Sequence, residues 1–161
     1  MFGWSKKKVD LLTPFPGTVM DVTAVPDQVF ADEMLGPGVA VVPDESCQVL
    51  EVCAPVSGQI VTIFNTMHAF AIRDKNGVDV LVHIGLDTVA LRGAGFEAFV
   101  SAGDSVKAGE LVVRVDAAAV RRAGKSLITP VVLTNKKQVA NVTAAAHKVQ
   151  RDDVVAHVTL N

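Results

Sequence analysis

The chain has no tyrosine, one tryptophan, two cysteines and no His-x-His anywhere in its 161 residues. Each scarcity excludes something. Without His-x-His, half of a common zinc-peptidase ligand pattern is missing. Cys47 and Cys53 lie in one stretch, Ser46-Cys-Gln-Val-Leu-Glu-Val-Cys53, that reads as a single strand. Six strand residues span about 20 Å, beyond disulfide reach, so both are expected to be free thiols, as in the cytosol. No apolar run approaches the ~20 residues of a membrane span. Lys6-Lys7-Lys8 is not followed by the apolar core of a signal peptide. The net charge is −2 with no long basic run, so a nucleic-acid partner is not expected. From these absences a cytoplasmic protein is expected.

What is present is aliphatic. Half of the residues are hydrophobic, and they are largely Val and Ala, of which Val favours strands. The length suits one domain with a real core. Residues 1–10 read as a tail, in which Phe2 and Trp4 ahead of three lysines could touch an anionic surface, although a short tail needs no role. From Leu11 onward short strands alternate with Gly and Pro. Thr13-Pro-Phe-Pro-Gly17 resembles Ala54-Pro-Val-Ser-Gly58, and Val106–Val115 resembles Val149–Val158. Two repeated units, each opening at Pro-x-x-Gly and ending in a hairpin, predict an all-β fold, a β-sandwich or flattened barrel. A helix is expected over Asp116–Ala123, with Asp116 as its cap and Gly124 ending it, and a second helical turn fits Pro26–Met34.

Two histidines flank the strongest turn signal in the chain, Asn76-Gly77. If those two residues form the loop, Phe70 faces His83, Gly85 faces His68, and the histidines are diagonal neighbours about 7–8 Å apart at Cα. A four-residue loop sets them directly opposite; an odd loop separates them onto opposite faces. In the two-residue register Thr66, His68, Phe70 and Ile72 lie on one sheet face, and Leu81, His83, Gly85 and Asp87 of the second strand lie on that same face, away from the apolar stripe Val78, Val80, Val82 and Ile84. Hydroxyl, paired imidazoles and carboxylate on one face point to chemistry at a neutral imidazole, which is a nucleophile and a metal ligand.

Thr66-Met-His68-Ala-Phe70 and His83-Ile-Gly85-Leu-Asp87-Thr-Val-Ala-Leu-Arg-Gly93-Ala-Gly95-Phe96 resemble the two signature segments of the glucose-type enzyme IIA proteins of the bacterial phosphoenolpyruvate:sugar phosphotransferase system. Val25–Phe30, Gly36–Val41, Ala54–Gly58 and Thr129–Val132 sit where that family has similar runs, so the likeness covers nearly all of residues 11–161 as one domain. The resemblance implies a barrel-sandwich hybrid with an internally duplicated motif. It implies that HPr, phosphorylated on histidine, passes its phosphoryl group to His83, and that a IIB domain of a sugar permease then takes it, bringing the chain transiently near the membrane. His68 would stabilise the phosphate and Thr66 would orient His68; no cofactor is implied. The same likeness suggests an apolar docking ring of Phe30, Met34, Leu35, Phe64 and Phe70, with Asp32 and Asp87 facing a basic partner.

Two other readings fit parts of the sequence. His83-x-x-x-Asp87 with His68 could ligate zinc for a hydrolase, although no carboxylate is placed as a base. The Gly103–Gly109 hairpin resembles biotinyl and lipoyl carrier domains, but Lys107 lacks the flanking Met those domains use. His147 and His157 read as ordinary strand or loop residues.

Overall fold

The computed structural model describes residues 6–161. Fourteen short strands carry the fold: β1 (Lys8–Leu12), β2 (Gly17–Asp21), β3 (Gly38–Val42), β4 (Val49–Cys53), β5 (Gly58–Ile63), β6 (Ala69–Arg73), β7 (Asp79–His83), β8 (Phe96–Ala98), β9 (Ser105–Val106), β10 (Leu111–Asp116), β11 (Thr129–Leu133), β12 (Val139–Ala144), β13 (Lys148–Val149) and β14 (Val154–Leu160). They form an eight-stranded sheet, β13-β2-β3-β11-β7-β6-β5-β9, and two three-stranded sheets, β1-β14-β12 and β4-β10-β8. The all-β sandwich expected from the sequence is the architecture observed.

The repeats are real, but nested rather than consecutive. Gly17 pairs with Val149 and Gly58 pairs with Val106, so each Pro-x-x-Gly strand meets its own two-residue edge strand. The Leu12 N–H donates to the Pro55 carbonyl and the Cys53 N–H to the Pro14 carbonyl, both at 2.8 Å, as a two-fold relation requires. One unit is continuous, β4 to β10. The other is split into β1–β3 and β11–β14 around it. Among the described residues, β7 against β11 is the sheet pairing that joins the two units.

One face of the large sheet packs on both small sheets. Phe70, Ile72, Val80, Val82 and Val131 there meet Leu11, Leu50, Val52, Val115 and Val158. Such a buried stripe on each strand is the main stabilising term, since each wholly buried Val, Leu or Phe is worth about 1.5–3 kcal/mol. The opposite face is also covered. Ala40, Ala69, Ala71, Leu81 and Val132 carry a smaller cluster with Val22, Val25 and Phe30. Those last residues come from the connection between β2 and β3, which includes helix α1 (Gln28–Ala31), capped by the Asp27 carboxylate accepting from the Val29 N–H. Small alanines on β3 and β6 let this connection lie close. Helix α2 (Ala117–Arg122) is capped as expected by Asp116, which accepts from the Ala119 N–H.

Two local expectations change. Strand β1 already starts at Lys8, inside the segment 1–10 read as a tail; Phe2 and Trp4 lie outside the described residues. The strand carrying Cys53 begins at Val49, so Cys47 sits in the preceding turn; both thiols are free. No described helix is long and apolar enough to cross a membrane.

Candidate functional site

The hairpin between β6 and β7 does not use Asn76-Gly77 as a two-residue turn. Ala69 pairs with His83, Phe70 with Val82 and Arg73 with Asp79. This is the odd register, the one expected to part the histidines. Asp74 sets it. Its carboxylate accepts from the Asn76 N–H at 2.9 Å and the Val78 N–H at 3.0 Å, and its carbonyl accepts from the Gly77 N–H at 3.0 Å. That is a three-residue loop with Gly77 in the left-handed region, φ 79°, where Gly is favoured.

The histidines meet all the same, because strand alternation stops where they begin. His68 precedes β6, in a turn where Met67 adopts φ 60° and its N–H donates to the Phe64 carbonyl. His83 is the last residue of β7. The His68 carbonyl accepts from the Ile84 N–H at 2.6 Å, which fixes the two segments together. The imidazole centroids lie 4.9 Å apart at 80°. Phe64 stands edge-on to His68 at 5.2 Å, and Phe30 lies 5.0 Å from His83. Four rings therefore form a row, Phe64–His68–His83–Phe30, each within ordinary aromatic contact of the next.

Each imidazole has its Nδ1 engaged. His83 Nδ1 is 2.8 Å from the Gly85 carbonyl. A carbonyl only accepts, so Nδ1 carries the proton and Nε2 keeps its lone pair. His68 Nδ1 is 2.5 Å from Thr66 Oγ1. His68 is 4% exposed and His83 is half-buried. Burial lowers the pKa of His83, against smaller upward effects of the Gly85 hydrogen bond and the Asp27 charge. Burial and then the neighbouring His83 lower that of His68. Both imidazoles are therefore held neutral at pH 7.

Other expected site residues fall differently. Thr66 lies in the turn, not on a strand, yet still reaches His68. Gly85 and Asp87 lie past the end of β7, and Gly85 does not face His68. Asp87 turns outward to Lys125, with 2.7 Å between Nζ and Oδ2. It therefore does not join the histidines as a third ligand, and among the described residues no three His, Cys, Asp or Glu side chains gather as a metal site. Phe70 is 0% exposed and belongs to the main core; the odd register aims it away from His83, so it is no part of a docking surface. Phe30 is 4% exposed, buried beneath the β2–β3 connection against His83. Met34, Leu35, Phe64 and Asp32 are exposed. Val89, 49% exposed in the 3-10 turn Thr88–Leu91 that follows Asp87, carried no sequence signal beyond its apolarity. The sequence assigns no site role to Lys125, which pairs with Asp87, or to the buried threonines Thr88 and Thr129 beside Gly85.

The family model for the phosphoenolpyruvate-dependent sugar phosphotransferase system, EIIA 1, matches residues 9–139. The chain belongs to this family. It is 44% identical over 137 residues to a glucose-specific EIIA component of Bacillus cereus, covering 84% of this chain and 81% of that one. It is 37% identical over 166 residues to the glucose-specific EIIA component of Staphylococcus aureus, covering 100% and 98%. The solved glucose permease IIA from Mycoplasma capricolum superimposes with a TM-score of 0.86 at 40% identity, covering 98% of this chain and 99% of that one. EIIA membership brings a phosphotransferase role in phosphoryl transfer; the zinc-hydrolase reading finds no support in any of these relatives.

Proposed function

We propose that this EIIA chain carries a phosphoryl group on His83 Nε2, taking it from phospho-HPr and passing it to a IIB domain of a sugar permease on the cytoplasmic side of the membrane. The observation that carries this reading is the locked tautomer: the Gly85 carbonyl holds the proton on Nδ1 and leaves Nε2 as the nucleophile. Transfer between two nitrogens asks mainly for position and charge stabilisation. The N–P bond to HPr breaks as the bond to Nε2 forms, so the free imidazole must be neutral, as burial makes it.

His68 supplies the charge stabilisation. Thr66 Oγ1 lies 2.5 Å from His68 Nδ1; we assign the hydroxyl as the donor of that bond, so that the other nitrogen, Nε2, bears a proton and donates to a phosphoryl oxygen on the neighbouring ring. This matters little for receiving the group and more for releasing it to IIB. Met34, Leu35, Phe64 and Val89 supply an apolar rim suited to a small interface that exchanges partners. The names of the relatives at 37–44% identity favour glucose as the sugar served.

Incubation with phosphoenolpyruvate, enzyme I and HPr, followed by mapping of the modified residue, tests the reading. One acid-labile phosphoryl group on His83 is expected. Label elsewhere, or label surviving in His83→Gln, would refute it.

A further inference from the structure

We propose that Thr129 is a positioning residue for His83, acting through the Gly85 peptides; this rests on His83 being the phosphoryl carrier. The chain beyond His83 leaves the sheet through two successive peptide planes. The plane joining Gly85 to Leu86 holds the tautomer: its carbonyl accepts from His83 Nδ1, and its N–H donates to the Ser126 carbonyl at 3.0 Å. The plane before it joins Ile84 to Gly85. Its carbonyl accepts from the Thr88 hydroxyl at 2.5 Å, and its N–H donates to Thr129 Oγ1 at 3.3 Å.

Thr129 is 0% exposed, and its own hydroxyl hydrogen goes to the Leu127 carbonyl at 2.9 Å. With that hydrogen committed, Oγ1 can only accept from Gly85, so the bond has a fixed direction. Thr129 opens β11, the strand that joins the split unit to the unit carrying both histidines. One repeat therefore holds the loop that sets the proton on the other repeat's nucleophile. Without the hydroxyl the Gly85 N–H is buried with no acceptor, and it recovers one only by rotating the plane. The next plane turns with it, and its carbonyl leaves Nδ1.

The test uses Thr129→Val, which keeps the side-chain shape and removes the hydroxyl, and Thr129→Ser, which keeps the hydroxyl. Nitrogen-15 NMR of the histidine rings reads the tautomer directly, and single-turnover phosphorylation by phospho-HPr reads acceptance. Thr129→Val is expected to lose the single Nδ1–H tautomer of His83 and to accept about five- to tenfold more slowly. Thr129→Ser is expected to restore both. An unchanged tautomer in folded Thr129→Val overturns the proposal. So does a Thr129→Ser protein that behaves like Thr129→Val, because packing rather than the hydroxyl would then be responsible. If the wild type shows the Nδ1–H tautomer but takes no label on His83, the carrier reading fails, while the link from Thr129 to the tautomer is still decided by the NMR.

Discussion

Replacing Gly85 by alanine separates the cost of a backbone conformation from the cost of a close approach, because Gly77 provides the matched control. Their φ values are nearly the same, 76° and 79°. A β-carbon on Gly77 meets nothing within 4 Å, whereas one on Gly85 falls 2.5 Å from the Ser126 carbonyl oxygen and 2.6 Å from Thr88 Cγ2. Gly77→Ala therefore carries only the left-handed penalty, about 1–2 kcal/mol. Gly85→Ala adds overpacking against backbone that cannot rotate away, another ~1–3 kcal/mol. The total of about 2–5 kcal/mol corresponds to a Tm lower by roughly 4–20 °C in a chain of this size, against roughly 2–8 °C for the control. The functional contrast is sharper. Relief at Gly85 must move the carbonyl that holds His83, and a misplacement of about 1 Å can cost 10²-fold in rate. Thermal melts and single-turnover labelling by phospho-HPr measure both effects. If Gly85→Ala melted with Gly77→Ala and accepted phosphate at the wild-type rate, the reasoning from close approach would be wrong.

His68→Gln should accept phosphate within a few-fold of the wild type yet pass it to IIB about 10²–10³-fold more slowly; equal losses in the two half-reactions, measured separately, would contradict the division of roles. Both imidazoles should titrate below the ordinary value of 6.5, since burial depresses each. The unfolded chain then binds protons first as pH falls, so this stabilising contribution is fully present above 6.5 and is lost as pH drops from there through the folded values. NMR titration of the ring carbons checks it, and a midpoint above 6.5 for either ring refutes it. Met34, 60% exposed, should tolerate Lys without a change in Tm, while the KM for phospho-HPr rises about tenfold; an unchanged KM would remove it from the docking rim.

The pairing of the histidines was legible in the sequence, but not the reason for it. Asn76-Gly77 suggested even registers, while the Asp74 carboxylate, accepting from two backbone N–H groups, imposes an odd one. An Asp at that position serves many turns, so its choice here depends on how the hairpin sits in the sheet. Phe70 changes face for the same reason, since a one-residue slip exchanges the faces of a strand. The two Pro-x-x-Gly repeats and the Asp116 cap were readable because each is local. The nesting of the repeats and the hold of Thr129 on Gly85 were not. Both depend on contacts between segments far apart in the chain, which leave no periodic mark on either one.

That nesting also orders the folding of the chain. Apart from the joining pair β7–β11, every strand pairing of the continuous unit closes within Val49–Asp116. In the split unit, β1 pairs with β14, β2 with β13 and β3 with β11, across the whole of the inner unit. Closing loops of that length is slow until the intervening chain has collapsed. On a ribosome β1, β2 and β3 emerge first and complete their pairings last. The early part of the chain must therefore wait with sheet edges open, while the segment that carries both histidines is the one able to assemble ahead of it.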